Sequence, residues 1–236
     1  MVDQQTEWLS QDELIFDRMV SFHRDNVEKI ASGKGPISQR NGGVLVVHLI
    51  PRSCVQNRIR FMGTELKEYG GNISPLGNRG AYSRFNVDGF MNYEGQKDVR
   101  AYSQLFRDGR LEAAMDRLEY EHGGHSIIRE SDCELAMFNV VSAYLTFCKA
   151  IDLKAPIWMF SALVDCHNLI FAPNPHWIDQ STPAIDRSPA FLPEVEITSF
   201  DIQPKVFLRS WCDSFWQAGG VERSLSYDKE GNWQGR

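Results

Sequence analysis

The stretch Ala101-Tyr102-Ser103-Gln104-Leu105-Phe106-Arg107-Asp108-Gly109-Arg110-Leu111 decides the fold class. Its first arm alternates between apolar and polar residues, the period of a half-buried strand. Asp108-Gly109 then supplies the residues that a tight hairpin turn demands. The chain returns through residues 111–118, where Leu111-Glu112-Ala113-Ala114-Met115 also carries helical propensity that competes with a second arm.

Strand signals continue upstream. Arg84-Phe85-Asn86-Val87 and Phe90-Met91-Asn92-Tyr93 flank an Asp88-Gly89 turn or bulge. Val44-Leu45-Val46-Val47-His48-Leu49-Ile50 follows Gly42-Gly43, stops at Pro51 and reads as a buried strand. Downstream, Pro156-Ile157-Trp158-Met159-Phe160-Ser161-Ala162-Leu163-Val164 reads as a central strand, and residues 194–200 as another. Residues 173–193 are rich in proline and polar side chains, the composition of an exposed loop.

Helices bracket this cluster. Ser10-Gln11-Asp12-Glu13 has the form of a capping box, in which hydroxyl and carboxylate satisfy the first free amides. Phe16, Met19, Val20, His23, Val27 and Ile30 follow at helical spacing, up to Gly33. Ser131-Asp132-Cys133-Glu134 reads as a second capping box, ahead of a face of Leu135, Phe138, Val141, Tyr144, Leu145, Cys148 and Ile151. Pro204 opens a last helix that Gly219-Gly220 closes. Strands bunched between helices without βαβ regularity predict an α+β fold. The expectation is a mixed or antiparallel sheet packed by about three main helices. Residues 1–12 read as a flexible lead, 13–226 as one domain and 227–236 as a tail.

Composition narrows the function classes. With 25 Lys+Arg against 31 Asp+Glu the net charge is -6, which argues against a broad nucleic-acid surface. The local basic strip Arg52, Arg58, Arg60 and Lys67 reads first as solvated surface. Five cysteines, Cys54, Cys133, Cys148, Cys166 and Cys212, form no CxxC pair, which fits a reducing cytoplasm better than a disulfide framework or a zinc knuckle. The polar, acidic start is no signal peptide, and no apolar run is long enough for a membrane span. Gly77-Asn78-Arg79-Gly80 is too short for a phosphate-binding loop and lacks its lysine; GxSxG, HExxH and GxGxxG are missing too.

The densest polar cluster holds Asp116, Glu119, Glu121, His122 and His125, with Glu130 and Asp132 close by. Carboxylates and imidazoles together can bind a divalent metal or move protons. Gly123-Gly124 splits the histidines, so the segment reads first as a solvated charged loop. Asp116, Glu119, His122 and His125 are the candidate metal ligands, although no cofactor is expected. His48 interrupts an apolar strand. It reads as a buried imidazole bonded to a neighbouring backbone group ahead of a pocket-lining base. With Arg52 it makes a candidate site for a small anion. Cys166 and His167 are strand neighbours facing opposite sides, poorly placed to share a proton. Trp158, Trp177, Trp211 and Trp216 read as core, whereas Tyr227 and Trp233 sit in a polar tail and must fold back or meet a partner.

Several segments together carry a resemblance. They are Phe22-His23-Arg24-Asp25-Asn26-Val27-Glu28-Lys29-Ile30, Val47-His48-Leu49-Ile50-Pro51-Arg52-Ser53, Asn86-Val87-Asp88-Gly89-Phe90 and Tyr102-Ser103-Gln104-Leu105-Phe106-Arg107-Asp108-Gly109. Residues 156–164, Trp216-Gln217-Ala218-Gly219 and Tyr227-Asp228-Lys229-Glu230-Gly231-Asn232-Trp233 complete the set. In this order the chain resembles the C-terminal region, of no assigned reaction, that follows the Schlafen AlbA_2 domain in bacterial DNA-binding or ATP-binding proteins. The resemblance implies an accessory, sensing or protein-interaction module of a nucleic-acid-linked, defence-like system. Its partner would be an AlbA_2-type protein or a second copy. It carries over no catalytic residue, and the AlbA_2 part is missing here. The rival readings are a metal-dependent nucleic-acid-processing enzyme using the Asp116 to Asp132 region, and a small anionic-ligand-binding domain.

Overall fold

The computed structural model describes residues 10–37, 42–57, 59–77, 82–95, 98–116, 118–172, 178–179 and 181–235. Most of the expected lead, Arg58, Asn78-Arg79-Gly80 and Trp177 lie outside them, as does part of the segment 173–193.

The expected hairpin forms. β4 (Ala101–Phe106) pairs antiparallel with β5 (Leu111–Met115), so tertiary pairing overrides the helical propensity of the second arm. Around it stand β1 (Val44–Pro51), β2 (Tyr82–Phe85), β3 (Gly89–Glu94), β8 (Ile157–Val164) and β9 (Ala190–Ile197). They form a seven-stranded sheet in the order β2-β3-β4-β5-β1-β8-β9, antiparallel at every pairing. The α+β reading holds, and of the two sheet types expected it is the antiparallel one.

Both faces of the sheet are covered. β1 is buried along its whole length because alternate residues serve different layers. Val44 and Val46 pack under Val27 and Ile30 of α1 (Gln11–Ala31). Leu45, Val47 and Leu49 pack on the other side, in the core built by α3 (Gly63–Gly70), α4 (Glu130–Ala150) and α6 (Arg209–Gln217). The short α2 (Arg52–Gln56) follows β1 directly, and α5 (Pro204–Phe207) leads into α6.

The first capping box is present: Glu13 donates its amide to Ser10 Oγ, and Ser10 donates its amide to Glu13 Oε2. The helix therefore starts two residues inside the expected lead. The second box is a correction. α4 begins at Glu130 with Arg129 as N-cap and no side-chain cap. Glu134 turns into the core, where it accepts from Trp216 Nε1, Ser224 Oγ and Trp233 Nε1.

Strand β9 starts at Ala190, earlier than expected, and runs through Pro193. Proline is tolerated because β9 is an edge strand and the ladder to β8 slips between Met159 and Ser161. The segment read as a charged loop also needs correcting. β6 (Glu119–His122) and β7 (His125–Ile128) form a second, two-stranded hairpin. Gly123 and Gly124 both have positive φ, 59° and 83°, the conformation of a two-residue hairpin turn.

The tail is part of the domain. Tyr227 is buried, bridges to Trp233 and donates its hydroxyl to Lys205 O at 2.7 Å. Trp233 is half-buried, edge-on to Phe138 and under Lys205 Nζ. Of the two fates open to these aromatics, the described chain takes the first and folds them back onto itself.

Candidate functional site

The hairpin β4–β5 has a cavity at each end. The larger, of 690 Å³, opens where β4 begins and β5 ends. One wall is a stripe of α4: Asp132, Leu135, Ala136, Asn139, Val140 and Ala143 recur at three- and four-residue spacing and so share a face. The opposite wall is Asn72, Ser74, Pro75 and Leu76 from the segment after α3. Ala101 and Met115, cross-strand partners, form the sheet floor.

Charge in this cleft is mixed, with carboxylates in excess. Arg100 and Arg129 face Glu94, Asp116, Glu119 and Asp132. Asp116 is only 5% exposed and follows Met115, and its amide extends the ladder by donating to Arg100 O at 2.9 Å. Glu119 is half-buried and accepts the Gly43 amide through Oε2 at 2.9 Å. Burial raises its carboxyl above the usual range, the Gly43 amide opposes that, and the nearby Glu121 and Asp116 raise it further. Glycine at position 42 makes room for this carboxylate, since a Cβ there would lie 1.9 Å from Glu119 Oε1. Arg129 donates to Glu119 O at 3.4 Å and lies over the Tyr120 ring at 5.0 Å. The arrangement suits a small polar ligand with a cationic group.

Of the four candidate metal ligands, the cleft gathers Asp116 and Glu119 and leaves out His122 and His125. The two histidines face each other across the end of the β6–β7 hairpin. Among the described residues, no group of three or more His, Cys, Asp or Glu side chains converges to hold a metal ion.

His48 and Arg52 do not share a site. Arg52 stands at the surface and pairs with Asp12, and neither residue lines a cavity described above. His48 is completely buried against α1, and its partners are side chains rather than backbone. Its Nε2 lies 2.8 Å from Oε2 of Glu112, its register partner on β5, and its Nδ1 lies 2.8 Å from His23 Nδ1. Tyr102 donates to the other oxygen of Glu112 at 2.8 Å. Four buried polar side chains from α1, β1, β4 and β5 thus form one chain. Only one hydrogen fits between the two Nδ1 atoms, and His48 Nε2 carries its own toward the carboxylate. Burial, then the charges of His48 and Arg24, push the His23 imidazole down to about 2, against a weaker opposing bond to the Ser161 main chain.

Sequence reasoning singled out His48 but missed its partners. The register His48↔Glu112 was recoverable once β1 and β5 were paired; the contact with His23 depends on where α1 docks. It also missed Arg100, whose neighbours come together only through the sheet.

All five thiols are buried. Burial pushes Cys54 up to about 12 and raises Cys133, Cys148, Cys166 and Cys212 as well. Cys166 lies past the end of β8, where its Sγ faces Leu163 O and Arg187 O while His167 is exposed.

Cys166 and His167 therefore lie past the end of the strand, one buried and one exposed, rather than on opposite faces of it. No helix among the described residues is long and apolar enough to cross a membrane. Set against known proteins, the chain matches no family model, no curated protein and no solved structure.

Proposed function

We propose that the chain is a non-catalytic sensing module whose site is the cleft between α4 and the β4–β5 floor, and whose ligand is a small organic molecule with an amine group. The observation that carries this reading is the placing of Glu119 and Asp116 together in a 690 Å³ cleft that also has an apolar floor. That volume falls within the range of about 300–1,000 Å³ usual for small-ligand sites. An ammonium group between the two carboxylates relieves their mutual repulsion, and Met115, Leu76 and Val140 receive its hydrocarbon part. Arg100 and Arg129 add donors for any acceptor the ligand carries.

A sensing role fits the accessory position that the resemblance to the AlbA_2-associated region implies, in a bacterial, cytoplasmic, nucleic-acid-linked system with an AlbA_2-type protein as partner. The reading as a metal-dependent nucleic-acid-processing enzyme is weaker, because two of its four candidate ligands, His122 and His125, stand outside the cleft.

A thermal-shift panel separates the two. Benzylamine and putrescine at saturating concentration should raise Tm, since a ligand at about 100 times its Kd stabilises by about 2.7 kcal/mol. Glu119→Gln, weakening the amine about tenfold, should cut the shift to about half at the same concentration. A shift with Mn²⁺ or Mg²⁺ but none with amines would sink this reading in favour of the metal site.

A further inference from the structure

The other end of the β4–β5 hairpin holds a second cavity, of 620 Å³, with a different chemistry. Residues 106–110 turn there against the segment after α2 and the β2–β3 turn. Its charged lining is basic on balance: Arg60, Arg107 and Arg110 against Asp88 and Asp108.

The arginines are not equally engaged. Arg110 is neutralised, with its Nη2 2.6 Å from Asp108 Oδ2 and its guanidinium over the Phe22 ring at 3.9 Å. Arg107 is held in place by two main-chain carbonyls, Val87 O and Asn86 O, and pairs with no carboxylate among the described residues. Arg60 is exposed and makes no hydrogen bond or ion pair among the described residues. A guanidinium held by main-chain carbonyls beside an exposed one is suited to a tetrahedral oxyanion, because each can present two parallel N–H donors. Beside them lie Ile59, Phe106 and Val87, the last 86% exposed. An inorganic ion would leave these apolar side chains in water, whereas an ester would cover them.

We infer that this groove binds a phosphate monoester of a small organic molecule, with Arg60 and Arg107 on the phosphate and Ile59, Phe106 and Val87 against the organic part. The site is independent of the amine cleft. The two lie at opposite ends of one six-residue strand, roughly 17 Å apart at about 3.3 Å per residue. Its charge preference is the reverse of the cleft's, so the same small molecule does not suit both.

Calorimetric titration at low salt tests it, with phenyl phosphate, inorganic phosphate and phenol as probes. Phenyl phosphate should bind, inorganic phosphate should bind at least about tenfold more weakly, and phenol should give no heat at about 10 mM. Arg60→Gln, at an exposed position, should weaken phenyl phosphate about tenfold, and Val87→Asp should abolish binding by adding a like charge at the rim. Lys154→Gln, at an exposed position outside both cavities, should leave phenyl phosphate binding unchanged. The inference is overturned if phenyl phosphate gives no heat, or if it binds Arg60→Gln and Val87→Asp as it binds the unaltered chain. Equal affinity for inorganic phosphate would also overturn it, by showing an anion site with no use for the organic part.

Discussion

Trp233 donates its indole N–H to Glu134 Oε2 at 2.6 Å, across 99 residues of sequence. The other carboxylate oxygen takes Trp216 and Ser224, so the completely buried Glu134 ties α4, α6 and the C-terminal segment together. A buried carboxylate is tolerated only with its lone pairs filled. Trp233→Phe keeps the ring against Phe138 but removes one donor. It should cost about 1.5–3 kcal/mol in urea unfolding, the usual worth of a hydrogen bond to a charged group. An unchanged midpoint would mean that the Trp233–Glu134 hydrogen bond contributes no stability.

The His23–His48–Glu112–Tyr102 chain makes stability depend on pH. The His23 imidazole goes from an ordinary 6.5 in the unfolded chain to about 2 in the fold. Between those values the unfolded chain binds a proton that the folded chain does not. Stability from this group is therefore complete above pH 6.5 and is lost as pH falls, by at most about 1.4 kcal/mol per unit. Arg24 on α1 and His48 on β1 face the same ring, and Glu112 and Tyr102 extend the chain beyond it. The measurement is the slope of unfolding free energy against pH from 6 to 4. It should be shallower in His23→Asn than in the unaltered chain; parallel slopes would contradict the account.

Native thiols should be inert. With Cys54 near 12, its thiolate fraction at pH 8 is on the order of one in ten thousand, and the other four thiols are also buried and raised. Iodoacetamide at pH 8 should label none of them in the folded chain and all five after unfolding. Rapid labelling of any one in the native state would disprove the burial.

Gly42→Ala should uncouple ligand binding from stability. The added Cβ collides with the end of the Glu119 side chain, which can swing away, so the fold should lose less than about 1 kcal/mol. The carboxylate would leave the Gly43 amide and its place in the cleft. Amine affinity should fall about tenfold while the unfolding midpoint barely moves. Equal losses in both would show that Glu119 is structural.

How much of this was legible in the sequence depended on how local the signal was. The Ser10–Glu13 capping box and the Asp108-Gly109 turn lie within four residues and formed as expected. Ser131–Glu134 has the same local pattern, but residues 82 to 99 positions further on compete for the carboxylate and win. The Gly123-Gly124 turn carried a hairpin signal that the surrounding charges masked. The two cavities were not legible at all, because each is lined by segments that only the sheet order brings together.

The most direct test of the central claim is calorimetric titration of benzylamine into the unaltered chain and Glu119→Gln at pH 7. The account predicts saturable binding that Glu119→Gln weakens about tenfold and Arg60→Gln leaves intact. No heat at about 10 mM benzylamine, or equal affinity in Glu119→Gln, would contradict it.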